Sequence, residues 1–157
     1  MDDESVVHQV HRLDIPRIVS LEQKCFSAET AYSAKQLKYL ITKTHSICVV
    51  SKKKDEILGY LIVLFRKDCT VAGIETIGVD PLYRGQGIAA KLLGYAESEI
   101  MHRGLHRIRL EVSVGNSTAI SLYEKSGFRI SSLLKNYYQY PHFGSFNAYR
   151  MIKELTT

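Results

Sequence analysis

The densest chemical signal in the sequence is the run Val79-Asp80-Pro81-Leu82-Tyr83-Arg84-Gly85-Gln86-Gly87-Ile88-Ala89-Ala90. Two glycines stand at the entry to a segment whose apolar spacing reads as a long helix. Backbone N–H groups in a helix's first turn lack intrahelical partners, and the helix dipole adds positive potential there. Without side chains at Gly85 and Gly87, a phosphate can approach those donors closely. Arg84 and Lys91 would add charge. A lone G-x-G is more often a packing turn, so the motif has to be weighed with its surroundings. A nucleotide P-loop needs Gly-Lys followed by Ser or Thr, and Gly87 is followed by Ile88. Gly85-x-Gly87-x-x-Ala90 meets the relaxed dinucleotide fingerprint. That fingerprint lies directly behind its strand, however, and here Asp80 to Arg84, with Pro81, intervene.

The flanking segments show what would position this turn. Thr70 to Val79 reads as a strand stopped by Asp80 and Pro81. From about Gly87 to Arg103, Ile88, Leu92, Leu93, Ala96 and Ile100 make one apolar helical face. Arg107 to Val112 alternates as a strand, with Ile108, Leu110 and Val112 on one side and Arg107, Arg109 and Glu111 on the other. Asn116 or Ser117 can cap a short helix ending at Ser126, with Gly127 as its stop. Upstream, Val6 to Leu13 reads as a strand. Asp14 reads as the N-cap of a helix that has Pro16 in its first turn and buries Ile15, Ile18, Val19 and Phe26. Ser33 and Gln36 form a capping box ahead of Leu37, Leu40 and Ile41. Ile47 to Val50 and Ile57 to Phe65 read as a hairpin about Lys52, Lys53 and Lys54. Strands at Phe128 to Leu134 and Phe146 to Lys153 follow. The pattern predicts one mixed α/β (α+β) domain over residues 1–157, built around a single sheet.

Composition narrows the classes. At 157 residues and 45% hydrophobic, the chain suits one folded domain and excludes a disordered one. The longest apolar run, Ile57 to Phe65, is less than half of a membrane span. Asp2, Asp3 and Glu4 lack the features of a secretory signal. The expectation is a cytoplasmic protein that does not engage membrane. A net charge of +5 suits an anionic partner such as nucleic acid, a membrane surface or a phosphorylated small molecule, though a solvated basic surface is commoner. No aromatic residue interleaves with the lysine run, which argues against nucleic acid. Cys25, Cys48 and Cys69 are odd in number, widely spaced and in apolar contexts, so buried, reduced thiols are expected. His102 and His106 have helical spacing, but Gly104 lies between them. No metal is expected.

Arg84-x-x-Gly87-x-Ala89 resembles the Q/R-x-x-G-x-G/A signature of the Gcn5-related N-acetyltransferases, in which this turn holds the pyrophosphate of acetyl-coenzyme A. Ile77-Gly78-Val79-Asp80-Pro81 resembles the strand and bulge that precede that turn. Leu110-Glu111-Val112, Asn116, Ala119-Ile120-x-Leu122-Tyr123 and Gly127-Phe128 resemble the branch containing bacterial ribosomal-protein-alanine N-acetyltransferases. Leu21-Glu22, Cys25-Phe26 and Asn136-Tyr137-Tyr138 extend the likeness.

The resemblance implies a sheet of about six or seven strands flanked by about four helices, and direct acetyl transfer from acetyl-coenzyme A to an amine. It implies Glu111 as general base, with Glu75 in reserve, and Tyr123 as general acid. It places Ile77, Gly78 and Val79 along the pantetheine arm, with the Val79 N–H as oxyanion donor. Arg84, Gly85, Gln86, Gly87, Ile88 and Ala89 would lie at the phosphates, and Asn116 would also bond the cofactor. Without the resemblance, Glu111 would read first as a surface carboxylate paired with Arg109, and its place in the matching motif reverses that order. Tyr123 also reads as a core aromatic, and Asn116 as a helix cap, a role compatible with binding the cofactor. Tyr137, Tyr138 and Tyr140 read either as strand aromatics or as the wall of an acceptor groove, which the loop ending in Tyr32 would border. Two positions depart from the branch: the Pro-Trp of that loop is missing, and Ser113 stands where many relatives carry Arg. The expected acceptor is a protein N-terminus, as on a ribosomal protein. A lysine side chain or small amine is the enzymatic alternative, and a non-catalytic coenzyme A sensor the rival from another class. Monomer and homodimer are both open.

Overall fold

Alternating and continuous apolar runs produce the strands, and 3.6-residue periodicity produces the helices. The computed structural model describes residues 5–156. In chain order its elements are β1 (Val6–Gln9), α1 (Ile15–Cys25), α2 (Ala34–Lys43), β2 (Ser46–Lys53), β3 (Glu56–Phe65), β4 (Val71–Val79), α3 (Ile88–His102), β5 (Arg107–Ser113), α4 (Ser117–Lys125), β6 (Arg129–Leu134) and β7 (Ala148–Glu154). The strands form one sheet in the order β1-β2-β3-β4-β5-β7-β6. Only β4 and β5 run parallel; every other neighbouring pair is antiparallel. Seven strands and four α-helices agree with the architecture expected above.

Helices cover both faces of the sheet. Val49, Leu61 and Val63 pack against Leu92, Leu93, Ala96 and Ile100 of α3, a cluster that Tyr123 of α4 joins. On the opposite face Cys48, Val50, Tyr60 and Ile62 pack against Ile18 and Leu21 of α1 and Leu37 of α2. Double coverage explains why β3 is apolar along almost its whole length. Leu92 is fully buried, so Leu92→Ala would cost about 2–5 kcal/mol through lost burial and the cavity left behind.

Several local expectations are corrected. β1 stops at Gln9, and a 3-10 turn at Arg12–Asp14 leads into α1. Asp14 does not cap α1 with its side chain. Its buried carboxylate instead accepts from the His11 N–H at 3.1 Å and from Lys52 Nζ at 2.8 Å, because a charge buried here needs donors and a counter-ion. Lys52 is thereby withdrawn from the solvated hairpin tip. Phe26 lies just beyond the end of α1 and is half-buried. Cys48 is buried and Cys25 half-buried, but Cys69 is exposed. β7 begins at Ala148 rather than Phe146. Tyr137 and Tyr138 lie beyond the end of β6 at Leu134, in the loop between β6 and β7, and are not strand aromatics. Among the described residues there is no cluster of three or more His, Cys, Asp or Glu suited to a metal ion. Nor is any described helix long and apolar enough to cross a membrane.

The feature that creates a site is the separation of β4 from β5. These strands pair only at Val71–Arg107, Ala72–Ile108 and Gly73–Arg109. The register of β3 against β4 then slips, with Ile62 opposite Thr76 and Val63 opposite Ile74, which leaves Glu75 without a partner. Such a bulge bends its strand, and β4 leaves β5 at this point. The extra residue also reverses the strand's facing. Ile74 packs toward α3, yet Ile77 and Val79 pack toward α3 as well, an odd offset that regular alternation forbids.

Candidate active site

The ends of β4 and β5, once diverged, lead directly into the starts of α3 and α4. After β4, the Asp80 N–H donates to the Leu58 carbonyl at 2.8 Å, and Asp80 Oδ1 accepts from the Leu82 N–H at 3.0 Å. This fixes the short Pro81–Tyr83 turn that carries the chain to the glycines. Gly85 and Gly87 have φ of +80° and +78°, a backbone conformation that favours glycine. A Cβ at either position would meet nothing within 4 Å, so the space above the turn is open. No described residue accepts from the N–H groups of Gly85, Gln86, Gly87, Ile88 or Ala89. The first helical bond runs from the Lys91 N–H to the Gly87 carbonyl at 3.1 Å. Five unused donors at a helix start, with Arg84 and Lys91 exposed beside them, fit a diphosphate. Ile88 buries its side chain in the core and can offer a ligand only its N–H.

The edge of β4 facing the opening is also available. The Asp80 to Leu58 bond sets the hydrogen-bonding parity of β3 with β4. Ile77 and Val79 therefore direct their N–H and C=O groups away from β3, into the divergence. The Val79 carbonyl accepts from Arg84 Nε at 3.2 Å and from Cys25 Sγ at 3.3 Å. No described residue accepts from its N–H, which could bond an extended ligand or a developing oxyanion.

Asn116 caps α4, its Oδ1 accepting from the Ala119 N–H at 3.2 Å. No described residue accepts from its side-chain N–H groups, so capping and ligand binding are compatible. Tyr123 is buried, edge-on to Phe128 at 5.8 Å. Burial pushes its phenol well above the ordinary value, so it stays protonated through the neutral range. No described residue bonds its hydroxyl, yet that oxygen is not among the sealed, unpartnered atoms. It therefore remains available as a donor.

Carboxylates and tyrosines gather on the α1/α2 side of the sheet. Glu111 Oε1 accepts from Arg109 Nη1 at 3.0 Å and from Arg150 Nη2 at 3.2 Å. Arg150 stands directly across from Glu111 on β7. Both contacts fall on one oxygen, and among the described residues none bonds Oε2. The paired-carboxylate reading of Glu111 is thus realised, with a second arginine that sequence reading did not anticipate. Glu75, placed by the bulge, accepts a hydrogen bond from the Tyr32 hydroxyl. Tyr137 lies within electrostatic reach of both carboxylates. Its phenol is raised by burial first, then by Glu111 and Glu75. Tyr138 packs edge-on to Tyr137 at 5.1 Å and stacks on His142 at 3.8 Å. Burial, with Tyr137 and Glu111, pushes the Tyr138 phenol up to about 12. Tyr140 stays exposed.

The loop bearing these aromatics is fastened to the end of β5. The Ser113 hydroxyl donates to the His142 carbonyl at 2.5 Å and accepts from the Gly115 N–H at 3.2 Å. Gly115 is required here because a Cβ would collide with the Phe143 carbonyl. The structure thus brings Tyr32, Glu75, Glu111, Tyr137 and Tyr138 to one side of the divergence, and the glycine turn, Asn116 and Tyr123 to the other. Sequence reading missed the parts of Arg150, Ser113 and the buried Glu22. For Glu22 a signal existed, since Ile15, Ile18 and Glu22 share one helical stripe.

Residues 15–128 match the family model described as "Acetyltransferase (GNAT) family". The [ribosomal protein bS18]-alanine N-acetyltransferase of Haemophilus ducreyi is 30% identical over 92% of this chain and 94% of its own length. The uncharacterized protein ML0378 of Mycobacterium leprae is 32% identical over 90% of this chain, which spans only 38% of that protein. The crystal structure of the Escherichia coli ribosomal-protein-S18-alanine N-acetyltransferase superposes with a TM-score of 0.85 at 24% identity. That match covers 98% of this chain and 95% of the other. An aminoglycoside 6'-N-acetyltransferase complexed with coenzyme A gives 0.83 at 18% identity over 97% and 98% of the chains. At such identities these two structures speak to fold.

Proposed function

From membership of the acetyltransferase (GNAT) family, to which this chain belongs, we propose that it moves an acetyl group from acetyl-coenzyme A to the N-terminal α-amine of a protein, such as a ribosomal protein. The observation that carries this reading is the divergence of β4 and β5. It opens a passage between a phosphate-binding turn on one side of the sheet and a carboxylate–tyrosine cluster on the other. Donor and acceptor can then meet without a covalent enzyme intermediate, and no cysteine is needed as nucleophile.

In this reading the N–H groups of residues 85–89 hold the diphosphate of coenzyme A, with Arg84 and Lys91 adding charge, and Asn116 bonds it from the start of α4. Ile77 and Val79 pair with the pantetheine arm as a strand would. When bound, acetyl-coenzyme A supplies an activated acyl group; the other steps belong to the chain. An α-amine has a pKa near 8 and must lose a proton before attack. Glu111, through its uncommitted oxygen or a water on it, accepts that proton. Arg109 and Arg150 fix the carboxylate in place. The Val79 N–H stabilises the oxygen on which negative charge develops. Tyr123, kept protonated by burial, donates to the departing thiolate. Tyr32, Tyr137 and Tyr138 wall the acceptor channel.

A lysine side chain or polyamine is the second reading, favoured by one observation. Glu75 has no cation paired with it among the described residues, so a second positive charge on the acceptor would find a counter-ion there. The test is turnover by Glu111→Gln and Tyr123→Phe with acetyl-coenzyme A and an alanine-initiated peptide. Loss of kcat with unchanged coenzyme A affinity supports the assigned pair, and wild-type turnover in both variants refutes it.

A further inference from the structure

The proposed reaction leaves one buried ionisable group unused. Glu22 lies near the end of α1 and is 1% exposed. Among the described residues no cation pairs with it. A carboxylate in that position is costly unless its oxygens are bonded, and both are. Oε1 accepts from the Tyr60 hydroxyl of β3, and Oε2 accepts from the Tyr32 N–H at 2.9 Å. One side chain thus ties the sheet floor to the segment between α1 and α2, ten residues further along the chain.

The consequence is transmitted by Tyr32. Its N–H is held from below by Glu22, while its hydroxyl donates to Glu75 at the bulge of β4. Tyr32 also lies within electrostatic reach of Tyr137 on the opposite wall. The residues just before Tyr32 are weakly anchored. The Thr30 and Ala31 N–H groups donate only to the nearby Ser27 carbonyl, and Ser27, Ala28 and Glu29 are exposed. Without the Glu22 contact, the Tyr32 backbone would have no bond to the sheet beneath it, and its phenol would have to find Glu75 unaided.

We propose that Glu22 is a positioning residue that holds Tyr32, and with it the α1–α2 segment, in the conformation that forms the acceptor channel. This rests on the reading of Tyr32 as part of that channel. Glu22 touches neither substrate nor reacting atoms. The other groups facing it are the Tyr60 and Tyr32 phenols, the Thr76 hydroxyl from β4 and the Cys25 thiol from its own helix. None of them is a cation that could replace the hold.

The test compares Glu22→Leu with Glu22→Gln in the full chain. Leucine fills the volume and removes both acceptors. Glutamine keeps an oxygen for the Tyr32 N–H and can turn its amide toward the Tyr60 hydroxyl, which also accepts. Hydrogen exchange at the Tyr32 amide reads the hold directly, and steady-state kinetics read its consequence. The expected result for Glu22→Leu is at least tenfold faster exchange and an acceptor KM raised about tenfold. Coenzyme A affinity should stay within twofold, and Glu22→Gln should restore both quantities to within about threefold. Unchanged exchange in Glu22→Leu overturns the proposal, whatever the enzyme acetylates. Faster exchange with an unmoved acceptor KM overturns the link to the channel and with it the role given to Tyr32. Equal losses in acceptor and coenzyme A binding mark a merely structural residue and also overturn it. If the wild-type chain turns over no amine, the acetyl-transfer reading fails while the exchange result still decides the hold.

Discussion

Replacing Glu22 by glutamine should change how the fold responds to pH. Burial, outweighing the bonds from the Tyr32 N–H and the Thr76 hydroxyl, raises this carboxyl from its ordinary 4.5 to about 7. Between those two values the folded chain holds a proton that the unfolded chain has released. Stability from this group is therefore complete below about pH 4.5 and is lost as pH rises through 7. At about 1.4 kcal/mol per pH unit, the interval corresponds to about 3 kcal/mol. Glutamine is never charged and keeps a hydrogen-bonding partner for Tyr32, so the variant lacks this slope. For a chain of this size each kcal/mol is worth about 2–4 °C in Tm. Thermal melts of both proteins from pH 5 to 8.5 should run close together at pH 5. They should separate progressively, with Glu22→Gln about 5–10 °C higher at pH 8.5. Titrations elsewhere, such as that of Asp14 beside Lys52, occur in both proteins and cancel in the difference. A constant separation across the range would mean that Glu22 does not titrate there and that burial does not raise its carboxyl.

Four further substitutions probe the passage between β4 and β5 and its two flanks. Gly87→Ala should fold with a loss of about 1–2 kcal/mol, since its Cβ meets nothing and only the positive φ is strained; a chemical melt measures this. Gly87→Glu adds a negative side chain over the same donors and should weaken coenzyme A binding at least tenfold by calorimetry, and unchanged affinity would exclude the phosphate role. Asn116→Ala should cost about 1 kcal/mol through the lost cap and should also weaken coenzyme A, whereas a residue that only caps would show the first effect alone. Ser113→Ala removes the tie to the His142 carbonyl and should raise acceptor KM several-fold while leaving coenzyme A affinity in place, read from kinetics and binding on one preparation.

Much of this arrangement was legible because it depends on local rules. The glycine turn, the apolar stripe of α3 and the capping box at Ser33 and Gln36 each follow from a few consecutive residues. Facts that depend on non-local pairing were not legible. Arg150 reaches Glu111 only because β7 returns antiparallel to β5, 39 residues later. Lys52 leaves the hairpin tip because a buried Asp14 lies beneath it, which the charge run could not show. The family resemblance implied a bulge ahead of the turn, but its place at Glu75 is a register slip between β3 and β4 that the composition of neither strand announces. Yet it turns Glu75 toward Tyr32 and parts β4 from β5. Ser113 was visible as a departure from the branch, but its task of pinning the aromatic loop required the loop itself.

Thiol release from acetyl-coenzyme A by the purified chain, against N-terminal peptides, lysine peptides and polyamines in parallel, decides whether the passage carries out acetyl transfer. The expected result is amine-dependent release that is greatest with a ribosomal-type N-terminal peptide, with mass spectrometry placing one acetyl group on the α-amine, and that is lost in Glu111→Gln. Tight coenzyme A binding with no amine-dependent release from any member of the panel would contradict it and leave the passage as a binding site alone.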